Sequence, residues 1–379
     1  MKIATIIGAR PQFIKAGPVS HAIAIHNRAA GVGEKAIDEV VIHTGQHYDE
    51  KMSAVFFETL DLAPPKYNLG VGSASHGTQI ARMIEGLEQV LKHEMPDLAL
   101  IYGDTNSTLA GALMADRLGI AVAHVEAGLR SFNRKMPEEC NRIIADRLSS
   151  LLFAPTKRAV QNLAREGITE GVHQVGDVMY EAAMFHIKRA ESASTILERL
   201  SLTSEGYSLA TIHRAENTDD PRRLQSILEG LEQLSQVQQI VWPVHPRARK
   251  QLSSGKMYDP SQQGLLLIEP VSYHDMLVLE KSASVVLTDS GGVQKEAAWF
   301  GVPCVTLRDE TEWVETVETG RNALAGCRPA QIRSAFEAAL KKPRIPMKSE
   351  SNGLRPSALI VQHLSALGSA NSVGVASPA

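Results

Sequence analysis

The sequence predicts an α/β protein with two domains, each built on a doubly wound parallel sheet. The chain has 379 residues, more than one hydrophobic core usually organises. Short apolar, β-rich runs alternate with longer helical stretches, which is the pattern of parallel sheets covered by helices on both faces. The alternation restarts after a helical segment near residues 180–203, so we expect the domain boundary between about residues 170 and 205.

Each strand is predicted from a run of nearly continuous apolar residues. In the first half these runs are 2–8, 39–45, 97–104, 121–128, 151–156 and 172–177. In the second half they are 207–213, 239–245, 265–270, 284–290 and 303–307. We place a first Rossmann-like domain at 1–175 and a second at 176–365, whose last helix can pack back on the first. Residues 366–379 are small and polar, and we expect a disordered tail there.

Composition excludes several classes of function. A net charge of -3 provides no polybasic surface, which argues against nonspecific binding to nucleic acid or to anionic membranes. No apolar segment approaches the roughly 20 residues of a membrane span. Cys140, Cys304 and Cys327 form no CxxC pair, and we expect each to fill the core of a protein in a reducing compartment. These features predict a soluble, cytoplasmic protein.

Polar side chains are concentrated after the carboxyl ends of the predicted strands. In open α/β sheets, ligands bind at that edge. Two such edges that face each other make one cleft, so we expect the active site between the domains. The residues concerned are Arg10, Gln46, His47, Asp104, Glu126, Asp177, His213, His245, Asp289 and Ser290.

The stretch "TDSGGVQKEA" (288–297) has the features of a phosphate site. Gly291 and Gly292 allow the backbone to turn tightly and approach a ligand, and the helix that follows offers unpaired N–H groups to an anion. Ser290 adds a hydroxyl donor, and Glu296 lies far enough along the helix to reach a ribose. A tight turn followed by an exposed glutamate is the alternative interpretation.

Two carboxylates follow strands of the first domain. Asp104 precedes a helix start rich in threonine, asparagine and serine, so it is either a catalytic acid or a helix N-cap. Glu126 ends an otherwise apolar strand, where a carboxylate is costly without a partner or a function.

A helix that begins at Pro137 carries two further candidates, Glu138 and Arg142. Their spacing of four residues fits an exposed salt bridge, and a facing cleft would be needed to make them catalytic. The opposite face is predicted to be an apolar, buried stripe. Its residues are Cys140, Ile143, Ile144, Leu148 and Leu151.

Cationic candidates occur in both halves. His213 and Arg214 follow a strand of the second domain and could hold a pyrophosphate, although a single histidine at a strand end is often structural. Arg10 and Lys15 offer fixed charges after the first strand. The histidines form neither HxxxH nor HExxH, so no metal site is predicted.

Taken together, these motifs resemble the non-hydrolysing UDP-N-acetylglucosamine 2-epimerase family. The resemblance runs across almost the whole chain and follows the family's order. The motifs are "GARPQFIKAGPV", "TGQHYD", "GDTNSTLAG", "HVEAGLRS", "PEECNR", "TIHRAEN", "PVHP" and "TDSGGVQKEA".

The resemblance implies a glycosyltransferase-B-like pair of domains, a homodimer and inversion at C2 of a UDP-linked 2-acetamido sugar. The reaction it implies is elimination of UDP to a 2-acetamidoglucal and re-addition on the opposite face, with no cofactor. Its acidic catalytic positions match Asp104, Glu126 and Glu138, and its cationic ones match Arg142 and His213. Its nucleotide-binding positions match Arg10, Lys15, Ser290, Gly291, Gly292 and Glu296.

The chain also departs from the family pattern. Trp313 replaces a cation of the common "TERPE" motif, and Tyr48 and Asp49 follow "TGQH" where members with an activator site have arginine. The combination "SFNRKMPEE", "PQFIK" and "TEWVE" is similar to the branch that epimerises UDP-2,3-diacetamido-2,3-dideoxyglucuronate. That substrate requires a partner for its C6 carboxylate, for which Arg130, Arg134 and Lys135 are candidates. A glycosyltransferase of the same architecture and a hydrolysing relative are more distant alternatives.

Overall fold

The computed structural model describes residues 1–30, 36–46, 62, 64–255, 264–348 and 353–370. Contacts divide the chain into two compact units. Unit 1 comprises Met1–Ala182 and Ser349–Ala379, and unit 2 comprises Ala183–Lys348. The predicted domain limits at 175 and 365 stay predictions. His47, Tyr48 and Asp49 lie outside the described residues, as do positions 371–379 of the expected tail.

Unit 1 is built on a seven-stranded parallel sheet in the order β3-β2-β1-β4-β5-β6-β7. The strands are β1 (Lys2–Ile7), β2 (Asp38–His43), β3 (Tyr67–Asn68), β4 (Leu98–Tyr102), β5 (Ala121–Val125), β6 (Leu151–Ala154) and β7 (Val172–Gln174). Its helices, numbered among the described residues, are α1 (Arg10–Ala29), α2 (His76–Glu94), α3 (Asn106–Arg117), α4 (Pro137–Leu148), α5 (Lys157–Arg165) and α6 (Val178–Ala193), which continues into unit 2.

Unit 2 is built on a six-stranded parallel sheet in the order β10-β9-β8-β11-β12-β13. Its strands are β8 (Tyr207–Thr211), β9 (Gln239–Pro243), β10 (Leu265–Ile268), β11 (Val286–Thr288), β12 (Cys304–Thr306) and β13 (Asn322–Leu324). Its helices are α7 (Ile196–Arg199), α8 (Ala215–Thr218), α9 (Pro221–Ser235), α10 (Pro246–Gly255), α11 (Tyr273–Ser282), α12 (Gly291–Phe300), α13 (Val314–Glu318) and α14 (Pro329–Ala339).

A final helix, α15 (Pro356–Ala370), returns to unit 1 and packs against α1. Its apolar residues Ile360, Val361 and Leu364 are buried. Among the described residues, no helix is long and apolar enough to cross a membrane.

The predicted fold class is confirmed. Every predicted strand has a counterpart in one of two parallel sheets, and in each sheet the order reverses beside the unit's first strand. The sequence missed β3 and β13, which are edge strands of two and three residues. Runs that short carry no periodic signal, and only their backbone pairing identifies them as strands.

The turn between β1 and α1 is fixed by Gln12, a buried residue of the first helical turn. Its side-chain oxygen accepts hydrogen bonds from the backbone N–H groups of Gly8, at 2.8 Å, and Ala9, at 3.0 Å. Its amide donates to the carbonyl of Tyr102, at the end of β4, at 2.9 Å. Gln12 therefore ties the carboxyl ends of two neighbouring strands together, next to the residues predicted to act on substrate.

The predicted apolar stripe of α4 is wrong for the members that lie in the helix, whereas Leu151 is buried but belongs to β6. The residues of α4 that the fold buries are Glu139, Asn141, Arg142, Ala145 and Asp146. Cys140 is exposed, so the expectation that every cysteine fills the core fails for it; Cys304 is buried and Cys327 is half-buried. Ile143, Ile144 and Leu148 are only half-buried. The charged face of the helix points inward because its charges pair with groups at the ends of β4 and β5.

Candidate active site

In unit 1, Arg142 joins a predicted catalytic acid to a buried carboxylate. Its guanidinium donates to Asp104 at 2.5 Å and to Glu139 at 2.7 Å. The alternative of an exposed salt bridge between Glu138 and Arg142 is wrong, because the Arg142 side chain is 2% exposed. Asp104 is not a helix cap either, since Thr105 occupies the N-cap position of α3.

Glu139 organises the loop that leads into α4. Its carboxylate accepts hydrogen bonds from the backbone N–H groups of Ser131 and Phe132, both at 2.9 Å. Burial alone would raise the pKa of Glu139, but these hydrogen bonds and the charge of Arg142 outweigh it, so the net pKa is lowered. An ionised Glu139 holds Arg142 in place, and Arg142 in turn orients Asp104.

Glu126 forms a buried ion pair with Lys15 at the edge of the same sheet. The backbone of Glu126 is in the left-handed region, with φ of 75°, a conformation that costs a non-glycine residue about 1–3 kcal/mol. Gly103 lies beside the pair: a Cβ there would stand 2.9 Å from Lys15 Nζ and 3.4 Å from Glu126 Oε2. The pair therefore lies next to the residue that precedes Asp104.

The structure thus brings Lys15, Asp104, Glu126 and Arg142 to the carboxyl edge of the unit 1 sheet. Arg10 is the first residue of α1, and Glu138 is a half-buried residue in the first turn of α4. Sequence analysis missed Glu139 and Asp146. Glu139 lies three residues before Arg142 and Asp146 lies four residues after it, so the three side chains share one face of the helix. This spacing is the signal that could have identified them.

In unit 2, Asp289 connects two of the predicted motifs. This buried carboxylate accepts hydrogen bonds from the backbone N–H groups of His213, at 3.0 Å, and Arg214, at 3.1 Å, and from Asn217 Nδ2 at 3.1 Å. The His213 ring, 40% exposed, lies with Nδ1 3.3 Å from Asp289. Asp289 therefore places His213 beside the Ser290–Gly291–Gly292 turn.

The start of α12 has little free space. Ser290 is the N-cap, and Gly291 and Gly292 are the first two helical residues. A Cβ on Gly291 would overlap Glu312 Oε1 and stand 3.1 Å from Trp313 Nε1. Glu312 is buried and pairs with Arg308 at 2.9 Å and Arg214 at 3.2 Å. Only glycine at 291 fits at this helix start without displacing these groups.

Glu296 and Lys295 lie further along α12. Glu296 is 4% exposed and accepts a hydrogen bond from the Tyr273 hydroxyl at 3.1 Å, so the alternative of an exposed glutamate is wrong. Lys295 is buried, with Nζ 3.8 Å from the centre of the Trp313 ring, a distance for a cation–π contact. Trp313, the departure from the family motif, is therefore packed between a buried cation and the glycine turn.

The described residues contain no cluster of three or more His, Cys, Asp or Glu that could hold a metal ion.

Unit 1 has paired acids and bases at its sheet edge, and unit 2 has a glycine helix start among cationic side chains. Each feature is typical of α/β enzymes that act on phosphorylated substrates. A family model described as UDP-N-acetylglucosamine 2-epimerase matches residues 31–355. The chain belongs to this family, and it is an isomerase with the family's glycosyltransferase-B-like fold.

Individual relatives agree with this assignment. A UDP-N-acetylglucosamine 2-epimerase homolog of Methanococcus maripaludis is 50% identical over 88% of this chain and 90% of its own. The UDP-2,3-diacetamido-2,3-dideoxy-D-glucuronate 2-epimerase of Pseudomonas aeruginosa is 47% identical over 90% and 93%. The crystal structure of Methanocaldococcus jannaschii UDP-GlcNAc 2-epimerase, in complex with UDP-GlcNAc and UDP, is 44% identical and has a TM-score of 0.90 over 97% of this chain and 100% of that one.

Proposed function

We propose that the protein is a non-hydrolysing UDP-N-acetylglucosamine 2-epimerase. The observation that carries this proposal is the group of carboxylate–cation pairs at the edge of the unit 1 sheet, Asp104 with Arg142 and Glu126 with Lys15. Family membership supplies the substrate class. The likeness to the Methanocaldococcus jannaschii enzyme with its bound UDP-GlcNAc and UDP supports the same substrate here.

The chemistry requires groups of these kinds. The C2 proton is weakly acidic, so its loss must accompany departure of UDP. A carboxylate takes the proton, the C2–H electrons form the C1–C2 double bond, and the C1–O electrons leave with the diphosphate. Return of a proton to the other face of C2, with UDP re-added at C1, completes the inversion. We propose that Asp104, Glu126 and Glu138 share these proton transfers. No hydride moves, so the mechanism uses no cofactor.

We propose that helix N–H groups and cationic side chains stabilise the leaving UDP. The N–H groups of Gly291 and Gly292 at the start of α12, together with the Ser290 hydroxyl, suit the diphosphate. His213, with Arg10 and Arg142, adds positive charge where negative charge develops. Glu296 suits the ribose hydroxyls. Lys15, a nucleotide-binding position by resemblance, contacts Glu126 and so also serves the acid–base group.

The diacetamido-glucuronate branch remains the second candidate, motivated by the Pseudomonas aeruginosa relative. The structure weakens the case for one requirement of this candidate, a cation that binds the C6 carboxylate of the substrate. Arg130, considered for the C6 carboxylate, is buried and paired with Asp146 and Glu166. Arg134 and Lys135 are exposed and remain available for that role.

The deciding experiment is an incubation with UDP-GlcNAc alone in D2O, followed by NMR. The expected result is deuterium at C2 and a mixture of both epimers with no acceptor present. Retention of hydrogen at C2 with UDP-GlcNAc, but exchange with the diacetamido uronate, moves the assignment to the second candidate. Retention with both substrates rejects epimerisation, a strict need for an acceptor indicates a glycosyltransferase, and stoichiometric release of UDP indicates a hydrolysing enzyme.

We further propose a cytoplasmic homodimer that supplies polysaccharide biosynthesis. The resemblance to the family motivates the dimer, and a cytosolic nucleotide-sugar pool motivates the location. Light scattering after size-exclusion chromatography tests the dimer, which a mass near the 41.1 kDa of one chain would contradict.

A further inference from the structure

A buried histidine that the proposed mechanism does not use lies next to the Gly103–Asp104 turn of unit 1. His124, in β5, is fully buried. Its Nε2 lies 2.7 Å from the carbonyl oxygen of Gly103, and its Nδ1 lies 2.7 Å from Asp146 Oδ1. Both distances are those of short hydrogen bonds.

Both partners of the His124 ring are acceptors. The carbonyl of Gly103 can only accept. Asp146 is ionised, because its other oxygen pairs with the Arg130 guanidinium and accepts from a backbone N–H. A neutral imidazole has one N–H and would turn a lone pair toward one of these oxygens. The geometry is therefore satisfied only when His124 carries protons on both ring nitrogens.

The surrounding charges make a buried imidazolium feasible. Asp146 Oδ2 pairs with Arg130 at 2.7 Å and accepts from the Gly128 backbone N–H at 3.1 Å. Arg130 also donates two hydrogen bonds to Glu166, at 2.7 and 2.8 Å. With a proton on each nitrogen of His124, two cations and two anions would alternate in one network. Every group that faces the His124 ring nitrogens is satisfied, which is the condition for charges this deep in a protein.

This network holds the backbone on which the catalytic side chains stand. Gly103 is tied to β5 on both sides, because its N–H donates to the carbonyl of Val125 at 3.0 Å and its carbonyl accepts from His124. Asp104 follows Gly103 directly, and Glu126 follows Val125. A shift of the Gly103 carbonyl would therefore move Asp104 relative to Glu126.

We propose that His124, as an imidazolium paired with Asp146, is a positioning residue that fixes the Gly103–Asp104 turn for proton transfer at C2 of the sugar. It does not touch substrate. This inference rests on the proposed epimerase function.

Neutron diffraction from deuterated wild-type crystals at about pH 8 tests the protonation state without any variant. An ordinary histidine is neutral at that pH. Deuterons on both Nδ1 and Nε2 of His124 are expected. A single deuteron on the ring would overturn the proposal.

Two variants separate positioning from simple core packing. The amide of His124→Gln reaches the place of Nε2 and can donate to Gly103, whereas the amide of His124→Asn reaches only the place of Nδ1. We expect His124→Asn to lower kcat about 100-fold with KM little changed, because small misplacement of catalytic groups has effects of that size. The kcat of His124→Gln should be at least about tenfold higher than the kcat of His124→Asn. His93→Asn, at an exposed histidine of α2, is the control and should leave kcat unchanged.

Equal kcat losses in the two His124 variants, or losses confined to KM, would overturn positioning while leaving the epimerase function intact. Failure of the wild type itself to exchange the C2 proton would instead reject the proposed function. If neither variant folds, the neutron result decides, since it requires only the wild-type protein.

Discussion

Arg142 donates a hydrogen bond of 2.5 Å to Asp104, a residue 38 positions earlier in the chain. The same guanidinium also donates a hydrogen bond to Glu139. The orientation of a proposed catalytic carboxylate therefore depends on a planar group that bridges two acids.

Arg142→Lys should lower kcat about 100-fold, equivalent to about 2.7 kcal/mol of transition-state stabilisation. An ammonium is a single point charge and does not reproduce the two-sided contact of a guanidinium. Steady-state kinetics with UDP-GlcNAc provides the measurement. Arg147→Lys, at an exposed arginine of the same helix, is the matched control. Similar kcat values for both variants would contradict the orienting role of Arg142.

Asp104→Asn and Glu138→Gln should each reduce turnover by about 100-fold or more while UDP still binds, because they remove proton-transfer groups and leave the nucleotide site unchanged. Turnover is followed by NMR, and UDP affinity is followed by calorimetry. A parallel loss of UDP affinity would assign these carboxylates to binding or folding.

Gly103→Ala should lose activity in addition to stability. Gly103 has φ of 63°, and an added Cβ would press on Lys15 and Glu126. Gly119→Ala is the control, since Gly119 has φ of 69° and no atom within 4 Å of the added Cβ. Both variants should lower the free energy of unfolding by about 1–2 kcal/mol, the cost of a left-handed alanine. Only Gly103→Ala should also lower kcat; an equal kcat in the two variants would refute the steric effect on the Lys15–Glu126 pair.

Gly291→Ala should weaken UDP binding about tenfold, or about 1.4 kcal/mol. The new methyl group would overlap Glu312, which holds Arg214 and Arg308, and would stand beside the Trp313 indole N–H. Isothermal calorimetry with UDP is the measurement. Gly77→Ala, in the first turn of α2 with no atom within 4 Å, should leave UDP affinity unchanged. Unaltered affinity in Gly291→Ala would remove the helix start from the nucleotide site.

Glu94 should make stability depend on pH under acid conditions. Hydrogen bonds and charges, from Lys66 first and then Tyr67 and Lys2, lower its pKa from 4.5 to about 2. A carboxylate whose pKa is lower in the folded than in the unfolded protein stabilises the fold. That contribution is complete above the pKa of the unfolded state and is lost as the pH falls toward the pKa of the folded state. Glu94→Gln should therefore destabilise the protein at pH 7, and the difference from wild type should shrink between about pH 4.5 and pH 2.

Denaturant unfolding at several pH values measures this difference. The control is Glu88→Gln, because Glu88 is an exposed residue of the same helix whose pair with Lys92 lies in solvent. A Glu94→Gln difference that stays constant down to pH 2 would contradict the contribution of the ionised carboxylate.

The sequence predicts the strands well because each has a local signal. A run such as residues 97–104 shows both its strand and the polar side chain at its end, which is how Asp104 was found. Neighbouring strand ends meet in space by topology alone, so grouping Asp104 with Glu126 also needed no coordinates.

The failures concern contacts between distant parts of the chain. Apolar periodicity predicted that α4 buries Ile143 and Ile144. The helix instead buries Arg142 and Asp146, because their hydrogen-bonding partners lie at the ends of β4 and β5. Those partners are Asp104 and His124, and nothing local identifies either as a partner of α4. The same limit hid Asp289 as the support of His213, since the two residues lie 76 positions apart.

Unit 1 takes its last helix, α15, from chain that follows the whole of unit 2. During synthesis the ribosome therefore delivers unit 2 complete before α1 receives the helix that packs on it. Throughout that interval the face of α1 on which α15 later packs is uncovered, and surface exposed in this way during synthesis is what chaperones protect. A chain truncated just after unit 2 would leave that face of α1 permanently uncovered.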